Sequence, residues 1–82
     1  MIKILFFAQL REQLDCCQME FPWSTGLTIA ELRNKLIENN PAWNVFLGEQ
    51  QLLSALNQTL VDDGMPLNEN DEVAFFPPVT GG

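Results

Sequence analysis

A chain of 82 residues with 46% apolar side chains, six Phe and two Trp has material for one domain with a modest core. Eleven Asp and Glu against four Lys and Arg give a net charge of −7. That sign repels phosphate backbones and argues against nucleic acid, leaving basic protein surfaces as the natural complement. No segment approaches the roughly 20 apolar residues that span a bilayer, and the N-terminal stretch lacks the form of a signal peptide. The expectation is a soluble, cytoplasmic protein with no nucleic-acid or membrane partner.

"IKILFF", Ile2 to Phe7, opens the chain as a β-branched and aromatic run suited to a pleated sheet. Alternation sends Ile2, Ile4 and Phe6 inward and leaves Lys3, Leu5 and Phe7 on the outer face. "AQLREQL", Ala8 to Leu14, reads as a short helical turn or loop, too short to be stable alone. "CQMEF", Cys17 to Phe21, reads as a second strand with Cys17, Met19 and Phe21 inward, broken by Pro22 and Gly26.

Thr28 followed by Glu31 has the capping-box spacing, with Leu27 and Leu32 spaced as a hydrophobic staple. Ile29, Leu32, Leu36 and Ile37 then share one helical face, while Arg33, Asn34, Lys35 and Glu38 point away. Asn39-Asn40-Pro41 ends that helix. Ala42 to Leu47 predicts another helical turn, closed by Gly48. Leu52 to Leu56 and Thr59 to Val61 predict two short strands around Asn57-Gln58. After a turn at Asp62-Asp63-Gly64, Leu67 points to the core. Glu72 to Phe76 is the last strand, with Val73 and Phe75 inward and Glu72, Ala74 and Phe76 outward. The order β, β, α, β, β, β predicts an α+β layer architecture: a mixed sheet of about five strands around one main helix, plus short helical turns.

Catalytic groups are scarce. Without a histidine there is no Ser-His-Asp set, and a cysteine nucleophile lacks its usual base. Gly26, Gly48 and Gly64 are isolated, so no phosphate-binding loop forms. Adjacent Cys16 and Cys17 cannot close an unstrained disulfide and have no partners for a metal; one is expected to line the core and the other to face out. Two features remain. Phe7 and Phe76, with Leu5 and Leu60, fall on one predicted sheet face, as a partner-binding patch would. The other is the ending "FFPPVTGG". Pro77-Pro78 stiffen the exit toward polyproline II. Extended residues 77–82 would reach roughly 20 Å, with a tip thin enough for a narrow channel. A carboxylate there is a poor electrophile until activated, for example by adenylation.

"FFAQLRE" at Phe6 to Glu12, "ALNQTLV" at Ala55 to Val61 and "PLNENDEVAFFPPVTGG" at Pro66 to Gly82 together closely resemble the small, sulfur-carrying subunits of molybdopterin synthase. The resemblance implies a ubiquitin-like β-grasp domain over residues 1–76 and an extended tail over residues 77–82. It implies that an adenylating partner related to ubiquitin-activating enzymes uses ATP on Gly82, and that sulfur then replaces AMP to give a thiocarboxylate. The sulfur would come from a donor such as a cysteine desulfurase system. Pro77, Pro78, Val79, Thr80 and Gly81 would thread the tail into the large subunit of the synthase. There Gly82 would donate sulfur to a cyclic pyranopterin precursor, within a 2:2 heterotetramer whose catalytic residues lie on the large subunit. Phe7, Arg11, Leu60 and Phe76 would contact partners, and this chain itself would bind no cofactor or metal. Carriers for thiamine or tRNA thiolation and ubiquitin-like tags share the fold and the Gly-Gly ending. Asn70 stands where the family commonly has Gly before "DEV", a place Asn tolerates. Cys16 and Cys17 match no family motif.

Overall fold

Ile2–Phe6 forms the first strand, β1, in a computed structural model that describes residues 1–78. Ile2, Ile4 and Phe6 are fully or almost fully buried, and Lys3 is exposed, as alternation requires. A short helix, α1 (Ala8–Leu14), follows at once and buries Leu10 and Leu14. It stops at Asp15, whose left-handed backbone (φ 53°) lets its N–H and that of Cys16 return to the last turn. Strand β2 (Gln18–Phe21) then pairs antiparallel with β1, Ile4 standing opposite Met19.

Helix α2 (Ile29–Asn39) begins where the capping signal places it: Thr28 Oγ1 accepts the Glu31 N–H at 3.2 Å. Leu27, Ile29, Leu32 and Leu36 are buried and Ile37 half-buried, so one stripe of the helix faces the sheet. The turn before it has Gly26 at φ 86°, a backbone that an L side chain rarely adopts. Trp23 Nε1 donates to the Leu67 carbonyl at 2.7 Å, tying this connection to the loop that carries Leu67 into the core. A 3₁₀ turn (Pro41–Trp43) and helix α3 (Asn44–Leu47) bring Leu47 inside.

The chain ends its sheet with β3 (Leu53–Leu56), β4 (Thr59–Val61) and β5 (Glu72–Phe76). The order across the sheet is β2-β1-β5-β3-β4. β1 and β5 are parallel; the other three pairings are antiparallel. The last strand is therefore the central one, and Phe6 lies opposite Phe75 with their rings stacked inside, centroids 5.8 Å from Trp43 to Phe6 and 6.2 Å from Phe6 to Phe75. The mixed five-stranded sheet, the single long helix and the short helical turns agree with the expected architecture.

Two readings of single residues need correction. Cys17 is exposed, and Cys16 packs against the core instead. The strand starts one residue later, at Gln18. The Cys17 carbonyl accepts the Phe6 N–H at 3.0 Å, while the Cys16 thiol donates to the Gln18 carbonyl at 3.3 Å. Arg33 does not point away into water. Its side chain is only 16% exposed, lies 5.8 Å from the centroid of the Phe75 ring and pairs with Asp63. A long aliphatic stem lets the guanidinium cover an aromatic ring and still reach a carboxylate at the rim.

Candidate functional site: an apolar groove beside the last strand

The helices bury one face of the sheet; on the other face the pairing register builds a groove. Leu5 of β1 stands beside Ala74 of β5, Ala74 beside Ala55 of β3, and Ala55 beside Leu60 of β4. Four residues thus form one row across four strands, tall at both ends and low in the middle. Ala55 is only 8% exposed because its taller neighbours stand over it. Phe7 and Phe76 raise the wall at the end where β1 and β5 finish, and Glu72 and Gln58 complete the lining at the other end.

Phe7 and Leu60 are 45% and 64% exposed, well above what large apolar side chains need to be when a fold has covered them. Phe76 is half-buried, beside Leu53 of β3. The space within the open groove, about 580 Å³, is of small-molecule size. Its lining nevertheless lacks the convergent polar groups that orient a small ligand: it offers one carboxylate, Glu72, and one carboxamide, Gln58. A wide apolar face with so few polar groups suits a protein surface better.

The sequence-predicted patch residues Leu5, Phe7, Leu60 and Phe76 are therefore brought together. Arg11 is exposed on α1 and is not part of the groove lining. Pro77 and Pro78 are half-buried where they leave β5. The expectations for Val79, Thr80, Gly81 and Gly82 lie outside the described residues. Sequence reasoning named neither Ala55 nor Gln58 as groove residues. Pairing the two predicted strands about Asn57-Gln58 sets Ala55 beside Leu60 on the outer face. Among the described residues no group of three His, Cys, Asp or Glu side chains could hold a metal, and both cysteines are free. Among the described residues no helix is long and apolar enough to cross a membrane.

The rim of the groove is held by an Asn-centred network. Asn57 Nδ2 donates to Asp71 Oδ1 at 3.1 Å, and Asn57 Oδ1 accepts the Glu72 N–H at 3.0 Å. Asp71 Oδ2 accepts the Asn68 N–H at 2.7 Å. Asn70 sits at φ 71°, the left-handed turn expected of it. The β3–β4 hairpin is thereby tied to the start of β5, so the far wall of the groove cannot drift from its floor.

A family model described as the ThiS family matches residues 4–82. The chain belongs to the ThiS family. Among curated relatives, the molybdopterin synthase sulfur carrier subunit of Escherichia coli (strain K12) is 46% identical, with 100% of both chains covered. Among solved structures, this ThiS-family chain is similar to one in a protein–protein complex of subunits 1 and 2 of the molybdopterin-converting factor from Helicobacter pylori 26695. That likeness has a TM-score of 0.67 and 27% identity, covering 99% of this chain and 97% of that one. The small archaeal modifier protein 1 of H. volcanii matches with a TM-score of 0.80 at 21% identity over 95% and 97% of the two chains, a likeness of fold alone. The ubiquitin-like β-grasp fold and the resemblance to molybdopterin synthase sulfur carriers, both expected from the sequence, are borne out.

Proposed function

We propose that this chain is the sulfur carrier subunit of a molybdopterin synthase, with Gly82 as its reactive residue. The observation that carries the reading is the double use of β5. Its outer face, Glu72, Ala74 and Phe76, lines the apolar groove, and the same strand leads directly into Pro77-Pro78 and the Gly-Gly ending. A partner seated on the groove through Phe7, Leu60 and Phe76 would receive the tail at a set position. Such positioning replaces a bimolecular encounter with an effectively unimolecular one.

The chemistry follows from the weakness of a carboxylate as an electrophile. On an adenylating partner related to ubiquitin-activating enzymes, the Gly82 carboxylate attacks the α-phosphorus of ATP and pyrophosphate leaves. A sulfur nucleophile, supplied by a system such as a cysteine desulfurase, then displaces AMP from the acyl carbon and leaves a thiocarboxylate. In the active site of the large subunit, reached by Pro77, Pro78, Val79, Thr80 and Gly81, that sulfur passes to a cyclic pyranopterin precursor. Hydrolysis returns the carboxylate for another cycle. Catalytic residues and ATP belong to the partners, and two carriers with two large subunits make the working assembly. Arg11, exposed on α1, would contact a partner outside the groove. Free thiols at Cys16 and Cys17 suit the reducing cytoplasm, where we place the reaction.

The domain's part is delivery, and intact mass tests it. Incubation with the adenylating partner, ATP and a sulfur source should add about 16 Da, one oxygen exchanged for sulfur. Deleting Gly82 should abolish the gain while leaving the thermal unfolding curve in place, since the core lies upstream. An unchanged mass with an active partner would sink the assignment.

A further inference from the structure

The turn between β3 and β4 carries a residue that the turn itself does not favour. Both central residues have positive φ, 48° at Asn57 and 73° at Gln58, the arrangement for which Asn-Gly is strongly preferred. Asn57 suits its place, and both ends of its carboxamide are used within the fold. Gln58 stands where glycine would be relaxed. Among the described left-handed residues, Gly26, Asp15, Asn57 and Asn70 are of types that adopt this backbone readily. Ala8 and Gln58 are not. Both adjoin the groove: Ala8 directly follows Phe7, and Gln58 is part of the lining. Strain of this kind persists at sites where something other than fold stability selects the side chain.

What the side chain could supply is visible in the lining. Beside Leu5, Phe7, Leu60 and Phe76, the polar side chains are Glu72 and Gln58. An ionised carboxylate only accepts hydrogen bonds, so Gln58 is the one lining side chain that can donate. Its carboxamide has no hydrogen-bond partner among the described residues, whereas that of neighbouring Asn57 has two. A protein segment pressed onto an apolar face must still satisfy its own buried N–H and C=O groups.

We propose that Gln58 is a specificity-determining residue of the groove, its carboxamide pairing with the main-chain N–H and C=O of one extended residue of the large subunit, which leave the same side of a strand. Oε1 accepts the partner's N–H and Nε2 donates to its C=O, two parallel bonds that an all-apolar face could not make. The inference rests on the reading of the groove as a docking surface and names what one of its residues recognises.

Two measurements on one variant set the fold against the interface. Gln58→Gly should raise Tm by about 4 °C, because the left-handed position loses its Cβ. The same variant should raise the Kd for the purified large subunit about tenfold in calorimetry, because that residue's N–H and C=O both lose their partner. Gln58→Leu keeps bulk in the groove but removes the hydrogen bonds, and should weaken binding at least as much. A Tm that does not rise, or a Gln58→Gly Kd within about twofold of the parent, overturns the proposal. Leu60→Asp separates the two readings. If it abolishes binding while Gln58→Gly does not, the groove remains the docking surface and only the role of Gln58 fails. If it too binds like the parent, the docking reading itself fails and takes this inference with it.

Discussion

Two Phe-Phe pairs divide this molecule between them. Phe6 ends β1 with Phe7 extended just beyond it, Phe75-Phe76 closes β5, and the strands run parallel side by side. Phe6 and Phe75 turn inward, 1% and 0% exposed, and stack on one another. Phe7 and Phe76 turn outward onto the groove. Chemistry cannot separate the members of a pair, because they are the same residue one position apart. The pleat separates them: successive side chains leave opposite faces, one covered by this chain's own helices and the other free for another molecule. The inner face is a finished core, and the outer face is half of one.

That contrast can be broken at its strongest point first. Phe75→Ala should cost about 3–5 kcal/mol, a large share of the stability of so small a domain, visible as a sharply lower urea midpoint. Phe76→Ala should move the same midpoint by no more than about 1 kcal/mol. Equal losses would erase the distinction between the faces. The roles then reverse in binding. Phe76→Asp should leave the far-ultraviolet circular dichroism unchanged and weaken large-subunit affinity by about 30-fold or more, as truncating an interface anchor does. A smaller effect on the inner side is expected from Thr28→Ala, which removes the side-chain cap from the Glu31 N–H and should lower stability by about 1 kcal/mol in chemical denaturation. Smallest of all is Cys17→Ser, away from both faces' work. It should change stability by less than about 0.5 kcal/mol and leave the thiocarboxylate mass gain intact; loss of that gain would give the thiol a part in the chemistry.

Much of this is legible in the sequence, for a local reason. Alternation along "IKILFF" and "EVAFF" sorts side chains by face without knowledge of the neighbouring strand, and Thr28 with Glu31 marks a helix start from four residues. The outer patch followed from the same alternation. What local pattern could not supply was the pairing register. Without Ala74 beside Ala55 and Ala55 beside Leu60, the low floor of the groove is invisible, since two alanines in separate strands carry no signal. Alternation along "CQMEF" has the right phase, since Met19 and Phe21 do pack on the core, but Cys17 lies before the strand begins at Gln18, where the pleat no longer fixes its direction. Arg33 was placed in water because its charge says so. Its stem and the ring of Phe75 decide otherwise, together with Asp63, thirty residues away. Gln58 is legible as a turn residue between two strands, but only the pairing of β3 with β5 sets that turn beside the groove.

The central place of β5 also bears on how the protein is made. Its neighbours are β1 and β3, so without residues 72–76 the sheet would consist of two separate pairs, β1-β2 and β3-β4, with nothing joining them. Pairings of such long sequence separation form late and slowly. Only when the final strand joins them do Leu5 and Ala55 acquire Ala74 as their common neighbour. A chain cut short of residue 72 lacks the strand that joins Leu5 to Ala55, and with it the continuity of the outer face from β1 to β4.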